Sequence, residues 1–206
     1  MHARSTTIQA RTSNIDAGIA HVRDEVMSAL SDIDGFVGLS LLVDRESGRC
    51  IATSSWQSEE AMRASAGQVS AVRNRATEIF GGSTEVAEWE IAVLHRAHAA
   101  PEGACTRVTW TELQGADPDR AIDMFKMGAL PRMEELTGFC SASLLVNRAS
   151  GLGCSAVSFD SRADLDASRD PGSVIRDSVM AQAGIRMTEM AEFELTLAHL
   201  RVPELV

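Results

Sequence analysis

The chain has 206 residues, 45 % of them hydrophobic, and 29 acidic against 19 basic residues give a net charge of −10. That balance argues against nucleic acid and against an anionic membrane surface, since both need clustered positive charge on the protein. No apolar run approaches the roughly 18 residues of a membrane span, and Met1–Ser5 leads into no signal-peptide core, so a cytoplasmic protein is expected.

Residues 4–12 alternate around Ile8 as a weak first strand. Asn14 then stands as a helix cap, followed by Ile15, Ile19, Val22, Val26, Leu30 and Ile33 at helical spacing. Next comes a strand with Val37, Leu39, Leu41 and Val43 on one face and Phe36, Gly38, Ser40 and Leu42 on the other. Arg45-Glu46-Ser47-Gly48 predicts a hairpin turn into a return strand, Cys50 to Trp56. A second helix is predicted from Ser58 to Phe80, its stripe formed by Met62, Ala66, Val69, Val72 and Ala76, with Gly81-Gly82 as its stop. Glu88 to His95 alternates as a last strand, and residues 97–104 form a linker.

The order then returns. Gly138 to Gly151 matches Gly35 to Gly48 at nine of fourteen positions, at a constant offset of 103. Chance gives roughly one match over such a stretch, so the chain is a tandem repeat. The second copy has a strand at Arg107–Leu113, a cap at Asp117 with Pro118 behind it, and a stripe of Ile122, Phe125, Ala129, Met133 and Leu136. Its return strand is Gly153 to Phe159, and Glu192 to His199 repeats the last strand. Pro171-Gly172 predicts a loop in the second helix, with a fresh start at Ser173. Each copy reads β-α-β-β-α-β, the ferredoxin-like arrangement. The expected fold is therefore α+β: two tandem ferredoxin-like domains, at 1–98 and 104–206, forming an intramolecular pseudo-dimeric α/β barrel with a cavity between its sheets.

Trp56-x-Ser58-x-Glu60-Ala61, at the third strand and second helix, resembles the signature of the antibiotic-biosynthesis-monooxygenase type of the dimeric α/β-barrel superfamily. The resemblance implies a barrel that binds a small hydrophobic or aromatic molecule and oxygenates it with no cofactor, neither metal nor flavin. The haem-degrading branch of that superfamily implies an Asn on the first strand and a His on the second helix. Here residues 4–12 hold no Asn and the helix offers Ser65 and Ala66, so haem cleavage by that route is not expected.

Among candidate site residues, His95 and His199 end the two last strands and suit proton transfer near neutral pH, against the plainer reading of satisfied rim histidines. Trp56 and, with less weight, Phe159 offer ring faces for a ligand, against plain packing. Ser40 and Ser143 are placed on the inner face, where they could orient it. Glu88, Glu90, Glu192 and Glu194 read as the solvated charges of an edge strand. The second copy lacks Trp at the Trp56 position, so one good pocket is expected, in the first half. Cys50, Cys105, Cys140 and Cys154 form no metal-ligand spacing, and no P-loop, GxGxxG or GxSxG is present. The alternative is a non-catalytic, stress-related binding or structural interaction module, with further association into homo-oligomers left open.

Overall fold

The computed structural model describes residues 1–115, 117–200 and 203–205. The expected end of the second domain, at 201–202 and 206, lies outside the described residues. The first copy runs β1 (His2–Gln9), α1 (Ile15–His21), a π-turn (Val22–Val26), α2 (Met27–Ser31), β2 (Phe36–Val43), β3 (Arg49–Trp56), α3 (Glu59–Ala64), α4 (Ala66–Phe80) and β4 (Ser83–Arg96). The second runs β5 (Cys105–Leu113), α5 (Pro118–Met124), a π-turn (Phe125–Ala129), α6 (Leu130–Glu134), β6 (Phe139–Asn147), β7 (Leu152–Phe159), α7 (Arg162–Ala167), α8 (Arg169–Ala183) and β8 (Ile185–Leu200). The strands form a closed barrel in the order β1-β3-β2-β8-β5-β7-β6-β4, so the α+β class and the β-α-β-β-α-β repeat are both present. No helix of the described residues is long and apolar enough to cross a membrane.

Two compact units divide the chain: Met1–Trp89 with Leu195–Val202, and Glu90–Glu194 with Pro203–Val206. The division passes through β4 and β8, so each unit holds part of both long strands. In the first unit β3 lies between β1 and β2, with Ala52 opposite both Thr6 and Leu41. Alternation puts Ile8, Leu39, Leu41, Val43 and Cys50 on the face covered by helices, where Ile15, Val22, Leu30, Val69 and Phe80 meet them. In the second unit β7 lies between β5 and β6. There Cys105, Phe139, Ala142 and Phe159 pack against Ile122, Phe125, Leu165, Ile175 and Val179.

The Trp56-x-Ser58-x-Glu60-Ala61 stretch has a structural explanation. Trp56 fills the core, and the Ser58 hydroxyl accepts a hydrogen bond from the Ala61 N–H as the cap of α3. Glu60 sits in the first turn, where hydrogen bonds from its own backbone N–H and from Ser58 lower its carboxyl pKa. Ser161 caps α7 in the same way, through the Asp164 N–H.

Two expectations need correction. Pro171-Gly172 makes no loop, because Pro171 falls in the first turn of α8, where an N–H has no intrahelical acceptor to lose. The interruption comes earlier, at Ser168, and at Ser65 in the first copy. Nor are the last-strand glutamates free charges on an edge: Glu88 pairs with Arg4, Glu90 with Arg148, and Glu192 with Arg107, Arg162 and Arg169.

Gly82, which leads into β4, lies against the Gln9 backbone. A Cβ there would stand 1.7 Å from the Gln9 carbonyl oxygen. Backbone cannot step aside as a side chain can, so Gly82→Ala is expected to cost about 1–3 kcal/mol. An unchanged urea midpoint would contradict that close approach.

Candidate functional site

The helix–sheet layer is filled differently in the two units. In the first, the Phe80 ring is fully buried and rests on Gly18, where a Cβ would come within 2.2 Å of it. The repeat offset puts Ala183 at the Phe80 position and Ala121 at the Gly18 position. The Phe80 ring therefore has no counterpart at that place in the second unit, while Phe125 brings a ring where the first copy has Val22. Ala129 stands for Val26, trimming the wall further. The effect shows on the sheet: Leu41 and Val43 are fully buried, whereas their counterparts Leu144 and Val146 are half-buried.

What results is a partly open pocket of about 80 Å³ between the helices and the sheet of the second unit. Its walls include Ala121, Ile122, Phe125, Ala129, Leu144 and Val146. The corresponding cleft in the first unit, lined by Val22, Val26, Leu30 and Ala76, holds about 50 Å³. Two hydroxyls enter the larger pocket, Thr111 where the first copy has Ile8 and Ser155 where it has Ala52. Among the described residues neither hydroxyl has a hydrogen-bond partner. A wider depression of about 350 Å³, lined by Arg120, Asp123, Met127 and Arg132, is a shallow groove on the outer helix surface.

Charge is confined to the rim. Arg148 donates to Glu90 at 2.6 Å and to Asp119 at 2.8 Å, and these hydrogen bonds, that to Glu90 foremost, push its pKa still higher. It ties the β6–β7 turn to α5, as Arg45 ties the β2–β3 turn to Asp16 of α1 at 2.7 Å. Arg176, on α8, also lines the mouth. The described lining contains no carboxylate, imidazole or thiol, so the pocket can bind and orient but has no acid–base group of its own.

The sequence candidates lie elsewhere. Trp56 is fully buried in the first unit, edge-on to Phe36 at 5.7 Å, and its Nε1 donates to Ser54 Oγ at 3.1 Å. Phe159 is buried in the second unit, edge-on to Phe139 at 6.4 Å. Ser40 on β2 and Ser143 on β6 are half-buried and alternate with the helix-facing residues. His95 is the last residue but one of β4, with Nε2 2.5 Å from Glu134 Oε1 and its ring stacked on Phe139. His199 is half-buried on β8. None of these six lines the larger pocket. Burial pushes the Cys50 and Cys140 thiols up to about 11, so both stay neutral and unreactive near pH 7. No group of His, Cys, Asp and Glu among the described residues could hold a metal ion. On the second helix, Ser65 receives a hydrogen bond from Arg4 Nη1 at 3.2 Å.

No family model matches the chain. It is 53 % identical over 206 residues to the uncharacterized protein Rv2557 of Mycobacterium tuberculosis, covering 100 % of this chain and 92 % of that one. Among solved structures it is similar to a candidate monooxygenase from Lactobacillus acidophilus, with a TM-score of 0.71 at 10 % identity over 97 % of this chain and 96 % of that one. It is also similar to a ferredoxin-fold protein related to antibiotic biosynthesis monooxygenases from Listeria monocytogenes, with a TM-score of 0.54 at 12 % identity and 95 % coverage of both. At such identities the likeness is one of fold, and that fold is the monooxygenase-type α/β barrel expected from the signature and the repeat.

Proposed function

We propose, for a chain that belongs to the same family as the Mycobacterium tuberculosis protein Rv2557, that its second unit is a binding site for a small apolar, ring-bearing molecule. The observation that carries this reading is the opening itself: it holds about 80 Å³ against about 50 Å³ for the corresponding cleft of the first unit, with the small side chains of Ala121 and Ala129 in its walls. A cavity of about 150 Å³ accepts benzene. The present 80 Å³ therefore has to widen for even one ring. Met133 and Met180, both in the lining, are the flexible side chains suited to that adjustment.

Binding rather than catalysis comes first, because the described lining holds no proton acceptor for oxygenation to use. The acidic balance and the compact pocket support a small-molecule partner in the cytoplasm, with no role for nucleic acid or membrane. The test transplants the first unit's packing into the second. Ala121→Gly with Ala183→Phe is expected to reduce benzamide affinity at least about tenfold, measured by ligand-detected NMR, through loss of the apolar contact area. Undiminished binding in that double variant would place the ligand elsewhere and end this reading.

A further inference from the structure

The rim arginine of the pocket adds a chemical class to the ligand, an inference that rests on the pocket assigned above. Arg176 is largely buried, with 19 % of its side chain exposed. A guanidinium has five N–H donors. Asp177, one residue along α8 and 67 % exposed, accepts from Nε at 2.9 Å and lies 2.9 Å from Nη2 as an ion pair. Nη1 faces the thioether sulfur of Met190 at 3.4 Å, a weak acceptor. Both Nη1 donors of a mostly desolvated cation thus face no oxygen acceptor among the described residues, at the mouth of an apolar pocket. Arg148 is in a different condition, since Glu90 and Asp119 already hold it.

The repeat supplies a second observation. Arg73 occupies the position of Arg176 in the first copy and lines the corresponding cleft. Both copies therefore keep a cation at this mouth, although the walls changed from Ile8 and Ala52 to Thr111 and Ser155. Those two uncommitted hydroxyls lie within the same pocket as Arg176. Apolar walls, one under-used guanidinium at the rim and two spare hydroxyls describe a site for an amphipathic anion.

We propose that the ligand is a small carboxylic acid with a compact apolar body. Its carboxylate docks on Arg176, its body lies against Phe125 and Leu144, and Thr111 and Ser155 receive any further polar atom. A neutral isostere keeps the apolar contacts and one hydrogen bond to its carbonyl oxygen, and loses the ion pair and its bidentate geometry.

The experiment compares benzoate with benzamide by ligand-detected NMR titration at pH 7, on the whole chain. The wild type is expected to bind benzoate at least about tenfold more tightly than benzamide. Arg176→Gln should remove most of that preference by weakening benzoate far more than benzamide, with Arg176→Lys retaining part of it. Thermal unfolding of each variant checks that the fold is intact. Equal affinities in the wild type, or a preference undiminished by Arg176→Gln, would overturn the carboxylate assignment while leaving the pocket in place. Failure of both probes to bind would remove the pocket reading and this one together.

Discussion

Replacing Trp56 by alanine is expected to lower stability by about 3–5 kcal/mol, the range for deleting a buried aromatic side chain. Trp56 has no exposed surface, packs edge-on to Phe36, and gives its indole N–H to Ser54 Oγ. Truncation leaves a void in a core that holds Trp56 with no exposed surface, and the cost includes that void. It also takes a donor from Ser54, which is itself buried and spends its own proton on the Arg4 carbonyl at 3.3 Å. Such a loss is a large share of the ~5–15 kcal/mol that holds an ordinary domain together. Trp56→Phe keeps most of the volume and loses mainly the hydrogen bond, so about 1–2 kcal/mol is expected. Urea unfolding of both variants checks the order. If Trp56→Ala left stability untouched and removed ligand binding alone, Trp56 would be a site residue and its place in the core would have no energetic meaning.

The architecture was legible because the evidence for it is local and occurs twice. Gly35–Gly48 and Gly138–Gly151 share glycines that meet backbone needs: Gly48 and Gly151 have φ of 78° and 71°. The helix stripes likewise follow from spacing alone. The pocket was harder to read, although Phe80 and Ala183 stand in plain view once the copies are aligned. An alanine for a phenylalanine near a helix end says nothing until Gly18 is known to be the seat of that ring. The same holds for the break at Ser65. At Ser168 Pro171 forbids a continuous helix, having no N–H for the Ala167 carbonyl, but at Ser65 no nearby residue does, and in both copies an arginine 61 positions away bonds the serine. Trp56 attracted attention as a site residue because aromatic residues serve both packing and recognition, and composition alone does not separate the two.

That arginine pair leads to a second large effect. Arg107 donates from Nη2 to the Leu165 carbonyl at 2.8 Å, from Nη1 to Ser168 Oγ at 3.0 Å, and from Nη2 to Glu192 at 3.0 Å. Arg4 repeats the set with Met62, Ser65 and Glu88. Each guanidinium satisfies a carbonyl in the last turn of a short helix, an acceptor the helix cannot pair. Removing Arg107 leaves the Leu165 carbonyl its hydrogen bond from the Ser168 hydroxyl at 2.7 Å, and leaves Glu192 with Arg162 and Arg169 at 2.8 Å each. Arg107→Met is therefore expected to cost only about 1–2 kcal/mol, from the hydrogen bonds it removes, since the Leu165 carbonyl and Glu192 each keep another donor.

Glu192→Gln acts on the opposite side and should cost more, about 3–5 kcal/mol, because it leaves a buried cation without its counter-charge. Arg162 and Arg169 are more than half exposed and can hydrate, whereas the Arg107 side chain is only 10 % exposed. The asymmetry is the test: urea denaturation should rank Glu192→Gln as the more damaging change, and the reverse order would mean that the helix-end carbonyl, not the charge, dominates. The consequence extends to the pocket, since α8 starts at this network and carries Arg176 and Val179 to the lining. A loosened start of α8 should weaken benzoate binding in Glu192→Gln without any change among the residues that line the pocket.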